Sequence, residues 1–335
     1  MIIISDCLTD KADEGTIKIA SKLAKMLRQH NAKIFQLNDS FSLSDKQYTV
    51  GKIGISYELI KDLRKSKQCV LYIPNASMTL GICLKAFMIK IFSGCRLFLL
   101  PVYRRSVTPI MKLLLQLSKA ELIVLSKESY DSYDKILKNK VHYVKAGVDT
   151  TKFIPVTAER KKELREKYGL KKDDKILLHV GHMVEARNLR KLLDVSDEYH
   201  VVVVVSTSTR WDENLFADLS KKNNISIVHE YIANIEEYYQ LADAYLFLVE
   251  NIGCVDVPLS VLEAASCNIP IVTTRYGELE SLDESAGFIF IRNFTEINKC
   301  IEQILQVSEI SNREMILEYD WKNSVSTIVS LFEGE

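Results

Sequence analysis

Short, uninterrupted runs of apolar residues recur along this chain, and segments with helical periodicity separate them. In the first half these runs cover residues 2–4, 33–37, 69–73, 97–101, 122–125 and 141–144. Strands of a parallel sheet that is covered on both faces are apolar throughout rather than alternating. The segment 16–30 has helical periodicity and carries one apolar stripe. The first half is therefore predicted to be a doubly wound α/β domain.

The same pattern starts again in the second half. Apolar runs cover residues 175–180, 200–205, 225–228, 244–249, 270–273 and 287–291. A chain of 335 residues also exceeds what one hydrophobic core usually supports. We therefore predict an α/β protein with two Rossmann-like domains, 1–153 and 154–318. The amphipathic stretch 319–335 needs a docking surface, and a return to the first domain is one option.

Charge is divided unequally between the halves, although the net charge of the whole chain is zero. Residues 1–153 hold 25 Lys and Arg against 13 Asp and Glu, and residues 154–335 hold 19 against 31, giving +12 and −12. A basic first half favours anionic partners or an anionic membrane surface. Mutual attraction of the two domains is the alternative interpretation.

The N-terminus and the cysteines indicate a reduced, cytoplasmic protein. The chain opens directly into an apolar run with no basic leader, which predicts a first strand rather than a signal peptide. Seven cysteines without a CxxC pair favour core thiols. The apolar stretch 79–100 is interrupted by Lys85, Lys90 and Arg96, which predicts a buried helix and strand rather than a membrane span.

The segment 253–267 is the strongest candidate for a ligand site. It lies between two apolar runs, and Pro258 has the fixed φ suited to the first turn of a helix. The start of such a helix faces the carboxyl edge of the sheet, where free amides and the helix dipole favour a phosphate. Glu263 lies on the otherwise apolar helix, so its carboxylate needs a partner. Two ribose hydroxyls or a neighbouring Arg would supply one.

This segment resembles the helix motif of glycosyltransferase family 4, which has the GT-B fold. Pro258-Leu-Ser-Val-Leu-Glu-Ala-Ala-Ser-Cys267 followed by Asn-Ile-Pro-Ile-Val matches a motif that reads roughly PLSVLEAMACG-PV. Four further segments resemble family motifs in the expected order: 145–155, 178–188, 232–243 and 273–277. The resemblance covers about residues 141–290. It implies two Rossmann-like domains around an interdomain cleft, and a hexosyltransferase-like enzyme of class EC 2.4.

The resemblance also implies roles for individual residues. Arg187 takes the place of the family's Lys beside the donor diphosphate, where a cation stabilises the leaving nucleotide. Glu263 would bind the ribose. Asp256 stands one position after the place of the family's first acidic residue, which is Val255 here, and it would either replace that residue or cap the helix. The remaining implied donor contacts are Gly181, His182, Ile232, Ala233, Val257, Leu259 and Ser260.

In the first half the implied site is less complete. Gly15 and Thr16 occupy the place of the family's glycine-rich loop, where backbone could approach the donor. The family often has a His where this chain has the run 73–78, in which Asn75 and Ser77 either bind a sugar or simply form a loop. Arg104 and Arg105 follow the next strand and suit an anionic acceptor; the alternative is a solvated loop.

The expected reaction is sugar transfer, with retention of configuration, from a nucleoside diphosphate sugar to a sugar, lipid-linked or other anionic acceptor. No cofactor and no metal are expected, because the histidines lack metal-ligand spacing and GT-B enzymes usually work without a metal ion. No nucleic-acid partner is expected. Lys85, Lys90, Lys112 and Lys119 on apolar helices are consistent with a peripheral membrane contact. The alternatives are a non-catalytic GT-B binding protein with a decayed donor site, or a nucleotide-sugar epimerase of the same fold.

Overall fold

The structure is a computed structural model that describes residues 1–75, 77–137, 140–208, 211–249, 257–277, 279, 282 and 287–334. These residues form two compact units. The first contains Met1–Ala146 and the segment that starts at Trp321, and the second contains the described residues between Gly147 and Asp320, apart from Val257. The boundary after Ala146 precedes the predicted one at residue 153, because the segment 147–153 clusters with the second unit.

A seven-stranded sheet forms the centre of the first unit, as far as the described residues show, and all its strand pairs are parallel. Its strands are β1 (Ile2–Ser5), β2 (Lys33–Leu37), β3 (Lys46–Tyr48), β4 (Val70–Ile73), β5 (Leu97–Leu99), β6 (Glu121–Val124) and β7 (Val141–Tyr143). Their order is β3-β2-β1-β4-β5-β6-β7. The winding direction therefore reverses between β1 and β4.

Helices connect these strands, and side chains of the chain itself cap most of them. They are α1 (Gly15–Gln29), α2 (Tyr57–Ser66), α3 (Leu80–Ser93), α4 (Pro109–Ser118) and α5 (Lys127–Leu137). Ser56, Thr79 and Thr108 accept a backbone N–H at the starts of α2, α3 and α4. Gly94, with φ of 74°, ends α3 in the left-handed conformation that glycine adopts without strain.

A second parallel sheet forms the centre of the second unit, with six strands among the described residues. They are β8 (Lys175–Gly181), β9 (Tyr199–Val205), β10 (Ile225–Val228), β11 (Ala244–Phe247), β12 (Ile271–Thr273) and β13 (Phe288–Phe290), in the order β10-β9-β8-β11-β12-β13. The winding direction reverses between β8 and β11. Open α/β sheets bind ligands at the carboxyl edge where this reversal occurs.

The helices of the second unit are mostly short. They are α6 (Ala158–Lys167), α7 (Glu213–Ser220), α8 (Glu236–Leu241), α9 (Leu259–Ser266), α10 (Ile297–Leu305) and α11 (Asn312–Ile316), with 3-10 turns at Glu185–Arg187, Leu189–Asp194, Phe294–Glu296 and Leu317–Tyr319. Helix α6 ends at Lys167, and Gly169, with φ of 69°, follows it in the left-handed conformation that glycine adopts without strain.

The last helix, α12 (Trp321–Glu333), belongs to the first unit. It packs against α1. The ring of Phe332 lies 4.5 Å from that of Phe98 on β5, and the Ser324 hydroxyl donates to the Lys145 carbonyl at 2.8 Å. The first unit is thus built from two separate stretches of the chain.

The predicted strands are all present, and the doubly wound α/β class is confirmed. Strand β3 was missed because its sequence, Lys-Gln-Tyr, is polar and lies at the edge of the sheet. The helix predicted within 79–100 is only partly buried: Ile91 and Phe92 at its end are 53% and 49% exposed. Among the described residues, no helix has the length and apolar character needed to cross a bilayer.

Candidate functional site

The carboxyl end of β8 and the 3-10 turn that follows it supply the basic side of the candidate donor site. Arg187 is half-buried in this turn, and within the described part of the chain it forms no ion pair. Asn188, with φ of 57°, ends the turn, and its amide donates to the Leu248 carbonyl at 3.2 Å. The turn is therefore fixed to the end of β11, beside the point where the winding of the sheet reverses.

Helix α9 begins at the same edge of the sheet, directly after Pro258. In the described structure its first turn has no side-chain cap, so its first amides remain available to a ligand. The side chains of Val257 and Leu259 are buried, which leaves only their backbone to face a ligand. Ser260 is half-buried. Asp256 and Val255 lie outside the described residues.

Glu263 is buried on α9, with 7% of its surface exposed, and Tyr239 of α8 is its hydrogen-bond partner. The Tyr239 hydroxyl donates to Oε2 of Glu263 at 2.6 Å. Burial, with the nearby Glu263 charge, raises the pKa of Tyr239 well above its ordinary value, so the phenol keeps its proton. Neither partner considered from sequence was a tyrosine.

Tyr245, on β11, connects the two sides of the site. No sequence motif had indicated it. Its hydroxyl donates to the Val180 carbonyl at 3.2 Å, and the Ser260 side chain lies close enough to lower its pKa. Burial raises its pKa; the charge of Glu263 raises it further and that of Arg187 opposes this. Arg187, Ser260 and Glu263 are therefore gathered around one buried phenol rather than scattered over the unit.

His179 lies beneath this cluster and stacks on Tyr245, with ring centroids 6.4 Å apart. Its Nδ1 donates to the Leu246 carbonyl at 2.9 Å, and its Nε2 has no hydrogen-bond partner in the described structure. A Cβ at Gly181 would come within 3.1 Å of Nε2, so a glycine fits this position. Burial lowers the pKa of His179 to about 4; the hydrogen bond to Leu246 opposes this shift, and the charges of Arg187 and His182 contribute to it.

We expect His179 to make the protein sensitive to acid. Its folded pKa of about 4 lies below the ordinary 6.5, so the unfolded chain binds the proton more readily and stability falls as pH drops from 6.5 towards 4. The loss should reach about 3 kcal/mol. Urea unfolding across this range should show a weaker pH dependence in His179→Phe than in wild type. Replacing the exposed His30 by Gln is the control, and an unchanged slope in His179→Phe would contradict the assignment.

The residues expected beside the base lie in the turn before α8. Ile232 is half-buried and Ala233 is exposed, and the Ala233 carbonyl accepts from Nζ of Lys152 at 3.1 Å. Lys152 also pairs with Glu236 at 3.0 Å. These contacts order the turn without covering its backbone.

In the first unit, Glu14 occupies the place predicted for a phosphate. Its carboxylate accepts from the amides of Thr16 and Ile17, both at 3.1 Å, and so caps α1. Thr16 itself is buried. An anion could use these amides only by displacing a carboxylate that already meets the helix dipole. In this conformation Glu14 holds the amides that were expected to face the donor, and the expectation for Gly15 and Thr16 stays a prediction.

The acceptor-side residues have different environments. Ser77 is fully buried, and its hydroxyl donates to the Tyr103 carbonyl, so it cannot contact an acceptor here. Arg104 pairs with Glu128 at 2.6 Å. Arg105 is exposed, with its guanidinium over the Tyr103 ring at 5.6 Å.

Asn75 lies at the reversal point of the first sheet, together with a residue that the sequence analysis did not select. Its backbone N–H donates to Oδ1 of Asp6, which directly follows β1, at 2.8 Å. Nearby, the buried Tyr72 hydroxyl has no partner among the described residues, and burial with the Asp6 charge raises its pKa. The position of an acidic residue immediately after the first strand was the available signal for Asp6.

The described residues contain no group of three or more His, Cys, Asp or Glu side chains placed to hold a metal ion.

The fold that these two sheets define is the GT-B fold of glycosyltransferases. The glycosyltransferase from Rickettsia africae ESF-5 superposes with a TM-score of 0.78 at 12% identity, over 99% of this chain and 97% of that one. Anabaena HepE in complex with UDP-glucose superposes with a TM-score of 0.75 at 12% identity, over 100% of both chains. The two Rossmann-like domains predicted from sequence are thus confirmed.

At the sequence level, residues 160–319 match the family model described as Glycosyl transferases group 1. EpsD of Bacillus subtilis (strain 168), which bears a provisional name as a glycosyltransferase, is 25% identical over 209 residues, or 57% of this chain and 53% of EpsD. The chain therefore spans about half the length of this curated relative. The segment 160–319, which matches the family model, contains Arg187, Tyr245, Ser260 and Glu263.

Proposed function

We propose that this protein is a family 4 glycosyltransferase that moves a sugar, with retention of configuration, from a nucleoside diphosphate sugar to an acceptor. The observation that carries the proposal is the arrangement of Arg187, Ser260 and Glu263 around Tyr245 at the reversal point of the second sheet. This arrangement falls within the segment that matches Glycosyl transferases group 1. HepE, a neighbour in fold, has been solved with UDP-glucose, which supports a donor of this chemical class.

Each group has a distinct task in the proposed reaction. The bond from the anomeric carbon to the diphosphate breaks, and an acceptor hydroxyl forms the new bond to that carbon. The hydroxyl proton passes to the departing diphosphate, on which negative charge accumulates as the old bond breaks. Arg187 and the first amides of α9 stabilise that charge where it develops. Glu263 accepts hydrogen bonds from the ribose, while Tyr239 fixes the orientation of its carboxylate. Tyr245 positions Ser260 and the start of α9.

On the acceptor side, Asp6 and Asn75 lie at the corresponding edge of the first sheet. A carboxylate oxygen accepts hydrogen bonds from sugar hydroxyls, and the exposed guanidinium of Arg105 suits an anionic group of a sugar or lipid-linked acceptor. We assign acceptor binding to these residues rather than to Ser77.

Calorimetry with a panel of UDP-, GDP- and ADP-sugars tests the donor site directly. One member of the panel should bind with a Kd in the micromolar to millimolar range, which is roughly the range of enzyme KM values. Binding should persist in EDTA, because Arg187 and α9 supply the charge that a metal would otherwise provide. A requirement for added metal would contradict the proposal that Arg187 and the start of α9 stabilise the phosphate charge.

One observation favours the non-catalytic alternative. Glu14 caps α1 where the family's glycine-rich loop would approach the donor, so the first unit contributes fewer free amides than the family pattern implies. A protein that binds none of the nucleotide sugars would be a GT-B scaffold with a decayed site. A protein that binds one but never transfers it to any acceptor would be a binding subunit.

A further inference from the structure

The outer face of α4 is apolar. Ile110, Leu113 and Leu117 are 62%, 55% and 52% exposed. Their spacing of three and four residues places them on one stripe of the helix. The opposite face, with Met111 and Leu115, is buried in the core of the first unit. A helix on the surface of a water-exposed protein normally presents polar residues outward, so this second apolar stripe requires an explanation.

Helix α3 adds to this surface. Its last turn exposes Ile91 and Phe92, by 53% and 49%. The two helices pack against each other in successive crossovers of a parallel sheet, so they run in the same direction and their C-terminal ends are neighbours. We call these five side chains, Ile91, Phe92, Ile110, Leu113 and Leu117, the apolar face. Exposed apolar patches of this kind mark sites of contact with proteins or membranes.

The charged side chains on α3 and α4 themselves are all positive. Lys112 and Lys119 lie beside the α4 stripe and are exposed, and neither forms an ion pair within the described residues. The sequence from residue 63 to residue 120 contains ten Lys and Arg and no Asp or Glu. A partner for this surface therefore has to combine an apolar layer with negative charge, which is the chemistry of an anionic bilayer interface.

We propose that the apolar face docks on the surface of a membrane that contains anionic lipids. Its five side chains enter the boundary between head groups and acyl chains, while Lys112 and Lys119 extend to the lipid phosphates. A second copy of the chain fits less well, because a two-fold contact would bring these lysines against their own counterparts. The proposal does not depend on the sugar-transfer reaction.

Co-sedimentation of the full chain with vesicles tests the proposal. The wild-type protein should sediment with phosphatidylcholine vesicles that contain roughly one third phosphatidylglycerol, and much less with pure phosphatidylcholine. Replacing Ile110, Leu113 and Leu117 together by Ser should lower the bound fraction about tenfold. The matched control replaces Tyr231, Val307 and Leu317 by Ser, three side chains of the second unit that are 43%, 40% and 48% exposed, and it should bind as wild type does.

The electrostatic part has its own variants. Lys112→Glu with Lys119→Glu should weaken binding to the anionic vesicles several-fold, whereas Lys171→Glu with Lys299→Glu, at exposed positions of the second unit, should not. Circular dichroism verifies folding, and Lys112→Gln with Lys119→Gln replaces the charge-reversed pair if it unfolds.

Three results would overturn the proposal. The first is a wild-type protein that stays in the supernatant with anionic vesicles at low salt. The second is a triple-Ser variant that binds as tightly as wild type. The third is a stable dimer in sedimentation velocity that dissociates in the triple-Ser variant, since it would assign the apolar face to a second copy.

Discussion

Arg187→Ala should lower kcat by about 10²–10³-fold, the loss seen when one group that stabilises transition-state charge is removed. Arg187 lies at the reversal point of the second sheet, its charge acts on Tyr245, and it makes no ion pair with the described residues. Its charge is therefore available to a ligand. Steady-state kinetics with the donor identified by calorimetry would measure the effect. Arg187→Lys should recover part of the rate, because it keeps the charge but loses the planar fork.

The neighbouring Arg190 is a matched control. It stands three positions further along the same segment, but it pairs with Glu185 at 2.8 Å and with Asp218. Arg190→Ala should leave kcat within about twofold of wild type, since exposed ion pairs contribute little. Equal losses in the two variants would indicate a general disturbance of the turn, and full activity of Arg187→Ala would refute the assigned donor site.

Glu263→Gln should weaken donor binding by about 10- to 100-fold. The reason is that a hydrogen bond to a charged group contributes about 1.5–3 kcal/mol, part of which is lost when the carboxylate becomes a neutral amide. The amide oxygen of Gln still accepts from the Tyr239 hydroxyl, so the packing of α8 against α9 is retained. The change should appear as a higher KM and calorimetric Kd for the donor.

Tyr239→Phe separates this binding effect from a structural one. It removes the hydroxyl that donates to Glu263, so a buried carboxylate oxygen loses that hydrogen bond. The loss should lower the free energy of unfolding by about 1–3 kcal/mol. Thermal unfolding measures that loss. If Glu263→Gln binds the donor as wild type does, while Tyr239→Phe is destabilised, Glu263 serves only to hold α8 and α9 together.

The strands of both units could be predicted because a parallel sheet covered on both faces requires continuous apolar runs. Strand β3 could not, because it lies at the edge of its sheet and two of its three residues are exposed. The roles of Arg187, Ser260 and Glu263, which the family resemblance implies, stay predictions.

The connections between these residues could not be predicted. In the sequence, Tyr239 belongs to an apolar helix face, and nothing nearby shows that its hydroxyl donates to Glu263. Tyr245 belongs to an apolar strand, and nothing nearby shows that its hydroxyl donates to Val180. Their partners are 24 and 65 positions away in the sequence. Glu14 was overlooked for a different reason. Ser, Thr, Asp and Asn are the usual caps, so nothing in the local sequence indicated that Glu14 caps α1.

The position of α12 has a consequence for biosynthesis. The first unit needs this helix to cover α1 and the ring of Phe98, yet the ribosome makes it only after the whole of the second unit. Domains usually acquire their structure in order as they emerge. Here the second unit can complete its core while the first still exposes part of its own, so the earlier half of the protein has to wait for the later one before it is protected from aggregation.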